Sequence, residues 1–160
     1  MSLIFSWILI DEISIGSIPK NQNDISLLKS KKIKSIISLT NYQDKEQERK
    51  IKTNFKYKKI VLPDHRSVNQ LEINHVKKTI NLIKQTEIFF PLFMHCEASI
   101  ERSPLIALAW LMYKKNISLE EGLDYMMSIH IQTNPLPEQI KVITDYFESL
   151  KKTEESEIDF

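Results

Sequence analysis

Short β-branched and aromatic runs alternate with helically spaced apolar stripes along the chain. Phe5 to Ile10 and Ile13 to Ile15, parted by Asp11-Glu12, read as two strands joined by a turn. Asp24 is placed to cap a short helix through Leu28. KSIISL at 34–39 has the unbroken apolar character of a buried strand, the charged NYQDKEQERK after it reads as a loop or frayed helix, and FKYKKIV at 55–61 as a strand with one wet face. Ile73, Val76, Ile80 and Ile83 form one stripe of an amphipathic helix. IFFPLFM at 88–94 is apolar at every position, as in a central strand covered on both faces, with Pro91 near its start. SPLIALAWLMYKK from Ser103 is apolar almost all round and reads as a buried helix with proline in its first turn. Ser118-x-x-Glu121 is a capping box, and Pro137 opens a last helix with the stripe Ile140, Ile143, Phe147 and Leu150.

Strands alternating with helices and ending in a run of helices predict an α/β fold: a central, mostly parallel sheet of four to five strands flanked by helices. One domain over 1–150 is expected, followed by a loose acidic tail over 151–160. The chain of 160 residues holds two glycines, Gly16 and Gly122, which excludes glycine-rich dinucleotide and P-loop sites. Its one cysteine, Cys96, excludes disulfide frameworks and multi-thiolate metal centres. Net charge is +1, so overall charge draws the protein to neither nucleic acid nor membrane. The average conceals +7 over residues 31–60 (ten Lys/Arg, three Asp/Glu) and −6 over 121–160 (three and nine). Solvated strand and loop faces explain the basic segment better than an RNA-binding surface does. LIFSWILI at 3–10 is far below the roughly 18 residues of a membrane span and lacks a basic flank, so the cytoplasm is the expected location.

The stretch that carries chemistry is HCEASIERSP, His95 to Pro104, between a buried strand and a buried helix. A loop there lies at the positive end of the following helix and can hold an anion on backbone N–H groups. Cys96 opens it and Arg102 closes it six positions on, a spacing that brings a guanidinium back over the pocket the sulfur faces. Helix N-termini and cationic neighbours favour the reactive thiolate. Arginine adds a planar fork matched to two phosphate oxygens.

His95-Cys96-x5-Arg102-Ser103 resembles the signature of the cysteine-dependent protein tyrosine phosphatases. The rest of the chain, from WILIDEISIGSIP at 7–19 through IVLPDH at 60–65 to TNPLPEQIKVITDYFE, is similar to their small dual-specificity branch. The resemblance implies the phosphatase-like three-layer domain. It also implies that Cys96 attacks phosphorus to form a phosphocysteine, while the loop Glu97, Ala98, Ser99, Ile100, Glu101 and Arg102 binds the phosphoryl oxygens. Asp64 would protonate the leaving group and later deprotonate water, Ser103 would stabilise the departing sulfur, and His95 would help set the thiolate. No metal or cofactor is implied. The expected substrate is a phosphorylated protein or a small phosphate ester. The family acts on proteins, phosphoinositides, RNA ends or glucans, and nothing in the sequence selects among these or fixes an oligomeric state. His65, His75 and His130 read as surface or packing residues.

The family motif carries glycine where this chain has Ser99, and Glu97 and Glu101 lie in a loop meant for a dianion. A carboxylate within about 7 Å of the phosphate would repel each unit of its charge by roughly 0.6 to 2.4 kcal/mol unless it points away. Strain is the expected effect of a serine at the glycine position, with a hydroxyl bonded inside the loop as the alternative. A phosphate-binding module with little or no turnover remains the alternative function, and a rhodanese-like sulfur transferase a more distant one that leaves Asp64 and Ser103 without roles.

Overall fold

The computed structural model describes residues 2–158. Five strands, β1 (Phe5–Leu9), β2 (Ile13–Gly16), β3 (Ser35–Ser38), β4 (Lys56–Lys59) and β5 (Leu92–His95), form one sheet in the order β1-β2-β5-β3-β4. Only β1 and β2 pair antiparallel; the other neighbours run parallel. β5 is therefore central, as its apolar run predicts. It is shorter than the sequence suggests, because Glu87–Phe89 winds into a turn of 3₁₀ helix and Pro91 directly precedes the strand.

Six helices, α1 (Gln22–Ser30), α2 (Lys45–Asn54), α3 (Ile73–Thr86), α4 (Arg102–Lys115), α5 (Leu119–Ile129) and α6 (Pro137–Ile158), complete the described chain. Side chains alternate across the sheet and sort the core into two halves. Ile36 and Phe93 face Ile25 and Leu28 of α1 and Ile51 of α2. Ile37, Leu92 and Met94 face Val76, Ile80 and Ile83 of α3, the apolar length of α4, Met126 of α5, and Ile143 and Tyr146 of α6. The fold is thus a three-layer α/β domain. α4 is buried from Arg102 to Met112, which is why its sequence lacks a polar face.

Three sequence expectations change. Asp24 is not the cap of α1: Asn21 is, its Oδ1 accepting from the Asp24 N–H at 3.0 Å, while Asp24 accepts from the Lys20 N–H. The charged segment after β3 is a full helix, because Asp44 caps it through the Glu46 and Gln47 amides and Ile51 anchors it in the core. The acidic tail is not loose over its described part: α6 runs on to Ile158, with Lys151–Ile158 exposed.

Part of the basic segment is tied to structural partners. β4 is a lysine-rich edge strand, which discourages pairing with another chain. Its Lys59 donates to the buried Glu48 at 2.9 Å, and Lys52 lies over the Tyr57 ring. Among the described residues no helix is long and apolar enough to cross a membrane.

Both glycines sit where backbone or core approaches too closely for a side chain. A Cβ at Gly16 would lie 1.9 Å from the Ile4 carbonyl oxygen, and one at Gly122 2.6 Å from Leu108 Cδ1. Gly16→Ala should therefore destabilise the protein by about 1–3 kcal/mol, since the neighbour is backbone and cannot swing away. Urea unfolding of the variant beside wild type measures this.

Candidate active site

The loop 96–101 leaves the C-terminal end of β5 and enters α4 at Arg102. Four of its carbonyls are held by partners outside the loop or beneath it. His95 Nδ1 donates to Cys96 O at 3.0 Å and the Ile18 N–H to Glu97 O at 3.1 Å. His130 Nε2 donates to Ser99 O at 2.8 Å and the Asn134 N–H to Ile100 O at 3.0 Å. In a trans peptide the carbonyl of one residue and the N–H of the next point in opposite directions. The N–H groups of Glu97, Ala98, Ile100 and Glu101 are thereby turned away from those partners. A cleft of about 450 Å³ adjoins the loop, lined by Cys96, Glu97, Ala98, Ile100 and Glu101 of the loop, by Arg102 at the start of α4, by Asp64, His65 and Arg66 from the turn after β4, and by Asn134 and Leu136. Glu101 occupies the cap position of α4 without using its side chain to cap, which leaves the first-turn amides of the helix to an incoming anion.

Cys96 is buried, and its Sγ lies 3.4 Å from Ser103 Oγ. Arg102, 8% exposed, donates to the Leu62 carbonyl at 3.3 Å and has its other terminal nitrogen 3.6 Å from Asp64 Oδ2. Asp64 is gripped further by Arg66, whose backbone N–H, Nε and terminal nitrogen donate at 2.9, 3.2 and 2.8 Å. Burial by itself would raise the Asp64 pKa. The Arg66 hydrogen bonds and the charges of Arg102 and Arg66 outweigh it and hold the pKa down at about 2.

All of the sequence-derived site residues are brought together here. His95 sits beneath the loop, fully buried, with Nε2 3.2 Å from the Tyr42 hydroxyl. Burial pulls its pKa to about 4, against the bond from Nδ1 to the Cys96 carbonyl and with the charge of Arg102. The ring is therefore neutral at physiological pH, and it holds the carbonyl beside the sulfur rather than adding positive charge.

Both glutamates have partners on the Asp64 turn. Glu101 is paired with His65 Nδ1 and accepts from Gln139 Nε2 at 3.1 Å. Glu97 pairs with Arg66 at 3.5 Å. The residues that looked hostile to a dianion thus tie the Asp64 turn to the loop.

A family model for the dual specificity phosphatase catalytic domain matches residues 15–149. The chain belongs to the dual-specificity phosphatase family. A comparison with curated proteins finds no match. Among solved structures, Tk-PTP in its active form superposes with a TM-score of 0.74 at 17% identity, covering 90% of this chain and 96% of that one. PTPMT1 in complex with PI(5)P gives 0.75 at 16%, covering 93% and 97%. The core catalytic domain of the PP-IP phosphatase SIW14 from S. cerevisiae, in complex with citrate, gives 0.72 at 19%, covering 97% and 92%. At these identities the superpositions establish the shared fold.

Within this phosphatase fold, sequence reasoning missed His65, Arg66, His130, Asn134 and Gln139. Arg66 lies two residues from Asp64 and could have been noticed as a partner on that spacing. His130 carries no local signal: it reaches Ser99 only because the segment between α5 and α6 passes behind the loop. Ser99 itself has φ +59° and is fully buried, so the position does demand the left-handed conformation that favours glycine. Its hydroxyl is not crowded, however: it is bonded to Ser103 Oγ at 3.0 Å and to His130 Nε2 at 3.2 Å.

A depressed histidine pKa has a definite sign in stability. The unfolded chain takes up a proton near 6.5 and the native His95 only near 4, so stability is full above 6.5 and falls as pH drops through that interval. In His95→Gln the fall between pH 6.5 and 4 should be shallower by up to one proton's worth of slope. Unfolding free energies across that range are the measurement, and an unchanged slope would show that His95 is not held neutral.

Proposed function

We propose that the protein hydrolyses phosphate monoesters, on proteins or on small molecules, through a phosphocysteine on Cys96. The observation that supports this reading is the convergence on one cleft of Cys96, the loop that follows it and Arg102, with the Asp64 carboxylate 3.6 Å from the guanidinium. The loop amides and Arg102 hold the three non-bridging oxygens and follow their charge through the transition state. Sγ attacks phosphorus, the bond to the ester oxygen breaks, and Asp64 gives that oxygen a proton. Water then attacks phosphorus, loses its proton to Asp64, and the S–P electron pair returns to sulfur beside the Ser103 hydroxyl.

A carboxyl group with a pKa of about 2 is a poor acid donor in the free enzyme. The substrate alters this. A phosphate dianion that engages Arg102 competes for the guanidinium now beside Asp64 and adds negative charge nearby, and both effects raise the carboxyl pKa. The cleft also takes in Ile100 and Leu136, which suit the apolar part of an aryl or alkyl ester. Phosphorylated inositol substrates fit the same chemistry as phosphopeptides; PI(5)P is the ligand of one structural neighbour.

Hydrolysis of p-nitrophenyl phosphate should be abolished in Cys96→Ser and lowered at least about 100-fold in Arg102→Ala, with little recovery in Arg102→Lys, because an ammonium lacks the two-pronged contact. Chelators should leave the rate unchanged. Turnover retained by folded Cys96→Ser would overturn the mechanism. Vanadate binding without any turnover by wild type would favour a phosphate-binding module.

Asp64→Asn should cost far more with alkyl than with aryl phosphates, since only the poor leaving group needs the proton. In Arg66→Ala the Asp64 pKa should rise from about 2 toward its ordinary 3.8, carrying the alkaline limb of kcat/KM to higher pH. A pH–rate profile of each variant checks both statements. An alkaline limb unmoved by Arg66→Ala would mean that Asp64 does not set it.

A further inference from the structure

The hydroxyl at the family's glycine position lies in a continuous chain of polar atoms. Ser6 Oγ is 2.8 Å from His130 Nδ1. His130 Nε2 is 2.8 Å from the Ser99 carbonyl and 3.2 Å from the Ser99 hydroxyl. Ser99 Oγ is 3.0 Å from Ser103 Oγ, which is 3.4 Å from the Cys96 sulfur. His130, Ser99, Ser103 and Cys96 are all buried, so no bulk solvent competes for these bonds.

Hydroxyls can donate or accept, but with Cys96 in the attacking thiolate form and the His130 ring uncharged, the two ends of this chain set the direction. A carbonyl oxygen has no proton, so Nε2 of His130 must carry one; in the neutral ring Nδ1 is then an acceptor and Ser6 donates to it. At the other end a thiolate also has no proton to give, so Ser103 must donate to sulfur. The Ser103 oxygen is then free to accept from Ser99, and the Ser99 oxygen from His130, whose one Nε2 proton is shared between the Ser99 carbonyl and hydroxyl. Every bond runs in one direction, from Ser6 toward Cys96. Chains of this polarity strengthen one another in a low-dielectric interior.

We infer that Ser99 and His130 are positioning residues for sulfur departure: they orient the Ser103 hydroxyl onto Cys96 Sγ and so accelerate breakdown of the phosphocysteine. This rests on the phosphatase reading above. In that second step the S–P bond breaks and its electron pair moves onto Sγ, while water forms the new O–P bond and passes its proton to Asp64. The negative charge appears on sulfur, where the Ser103 proton is held ready. A glycine at position 99 would relieve the φ of +59° but remove the middle link. The serine trades local backbone comfort for that link.

Rapid-quench and stopped-flow kinetics with p-nitrophenyl phosphate separate the two steps. Ser99→Gly should slow phosphocysteine breakdown about tenfold relative to its formation, so that a burst of p-nitrophenol approaching one equivalent precedes the steady state. Ser103→Ala should do the same. The Ser99→Gly/Ser103→Ala pair should be no slower than Ser103→Ala alone, because Ser99 acts only through Ser103. A Ser99→Gly protein that breaks down its intermediate as fast as wild type, or effects that multiply in the pair, would overturn the inference. Imidazole ¹⁵N NMR of the wild-type protein tests the polarity without any turnover: the His130 proton should reside on Nε2 with Nδ1 bare. A proton on Nδ1 overturns the chain even in an active enzyme. Absence of Cys96-dependent turnover with the expected tautomer would instead count against the phosphatase reading, leaving the polarity of the chain intact.

Discussion

In the proposed function six residues between a central strand and a buried helix present amides to a dianion, with no glycine among them. The constraint is met from outside the loop. Four carbonyls are held back by His95, by Ile18 just after β2, and by His130 and Asn134 in the segment joining α5 to α6. Planar trans peptides convert those outward bonds into inward-facing donors. Fixing the donors before a ligand arrives is what makes such a site effective, since little reorganisation is left to do on binding.

The same arrangement explains the layout of the fold around the cleft. β5 is central and covered on both faces, so its C-terminal end, where the loop begins, is anchored by both halves of the core. α4 follows at once and is buried along most of its length, which fixes Arg102 and Ser103 relative to Cys96. His95 adds a neutral bridge from the Tyr42 side of the sheet to the Cys96 carbonyl. Movement of any of these elements would change which way the loop amides face.

Each carboxylate at the cleft has a hydrogen-bonding partner. Asp64 is ionised between Arg66 and Arg102, Glu97 lies 3.5 Å from Arg66, and Glu101 is bonded to His65 and Gln139. In the proposed mechanism a dianion entering this network competes for Arg102, which couples phosphoryl binding to protonation of Asp64.

Hydrophobic period and the Cys96-to-Arg102 spacing determined a good deal locally: the α/β alternation, the central place of the 88–94 run, the buried helix after the loop and the Ser118 capping box were all legible. Those signals depend on near neighbours along the chain. The cap of α1, the full helix at 45–54 and the extension of α6 to Ile158 were less clear, because a frayed end and a capped one differ by a few side-chain bonds. What only tertiary structure decided is the company each site residue keeps. Glu97 and Glu101 have partners on the Asp64 turn, and Ser99 keeps its positive φ while its hydroxyl is bonded to Ser103 and His130, which the sequence left as an alternative. Partners so far apart in sequence are brought together by the packing of α5 and α6 against the rest of the core, and no local pattern in a single sequence encodes such a meeting.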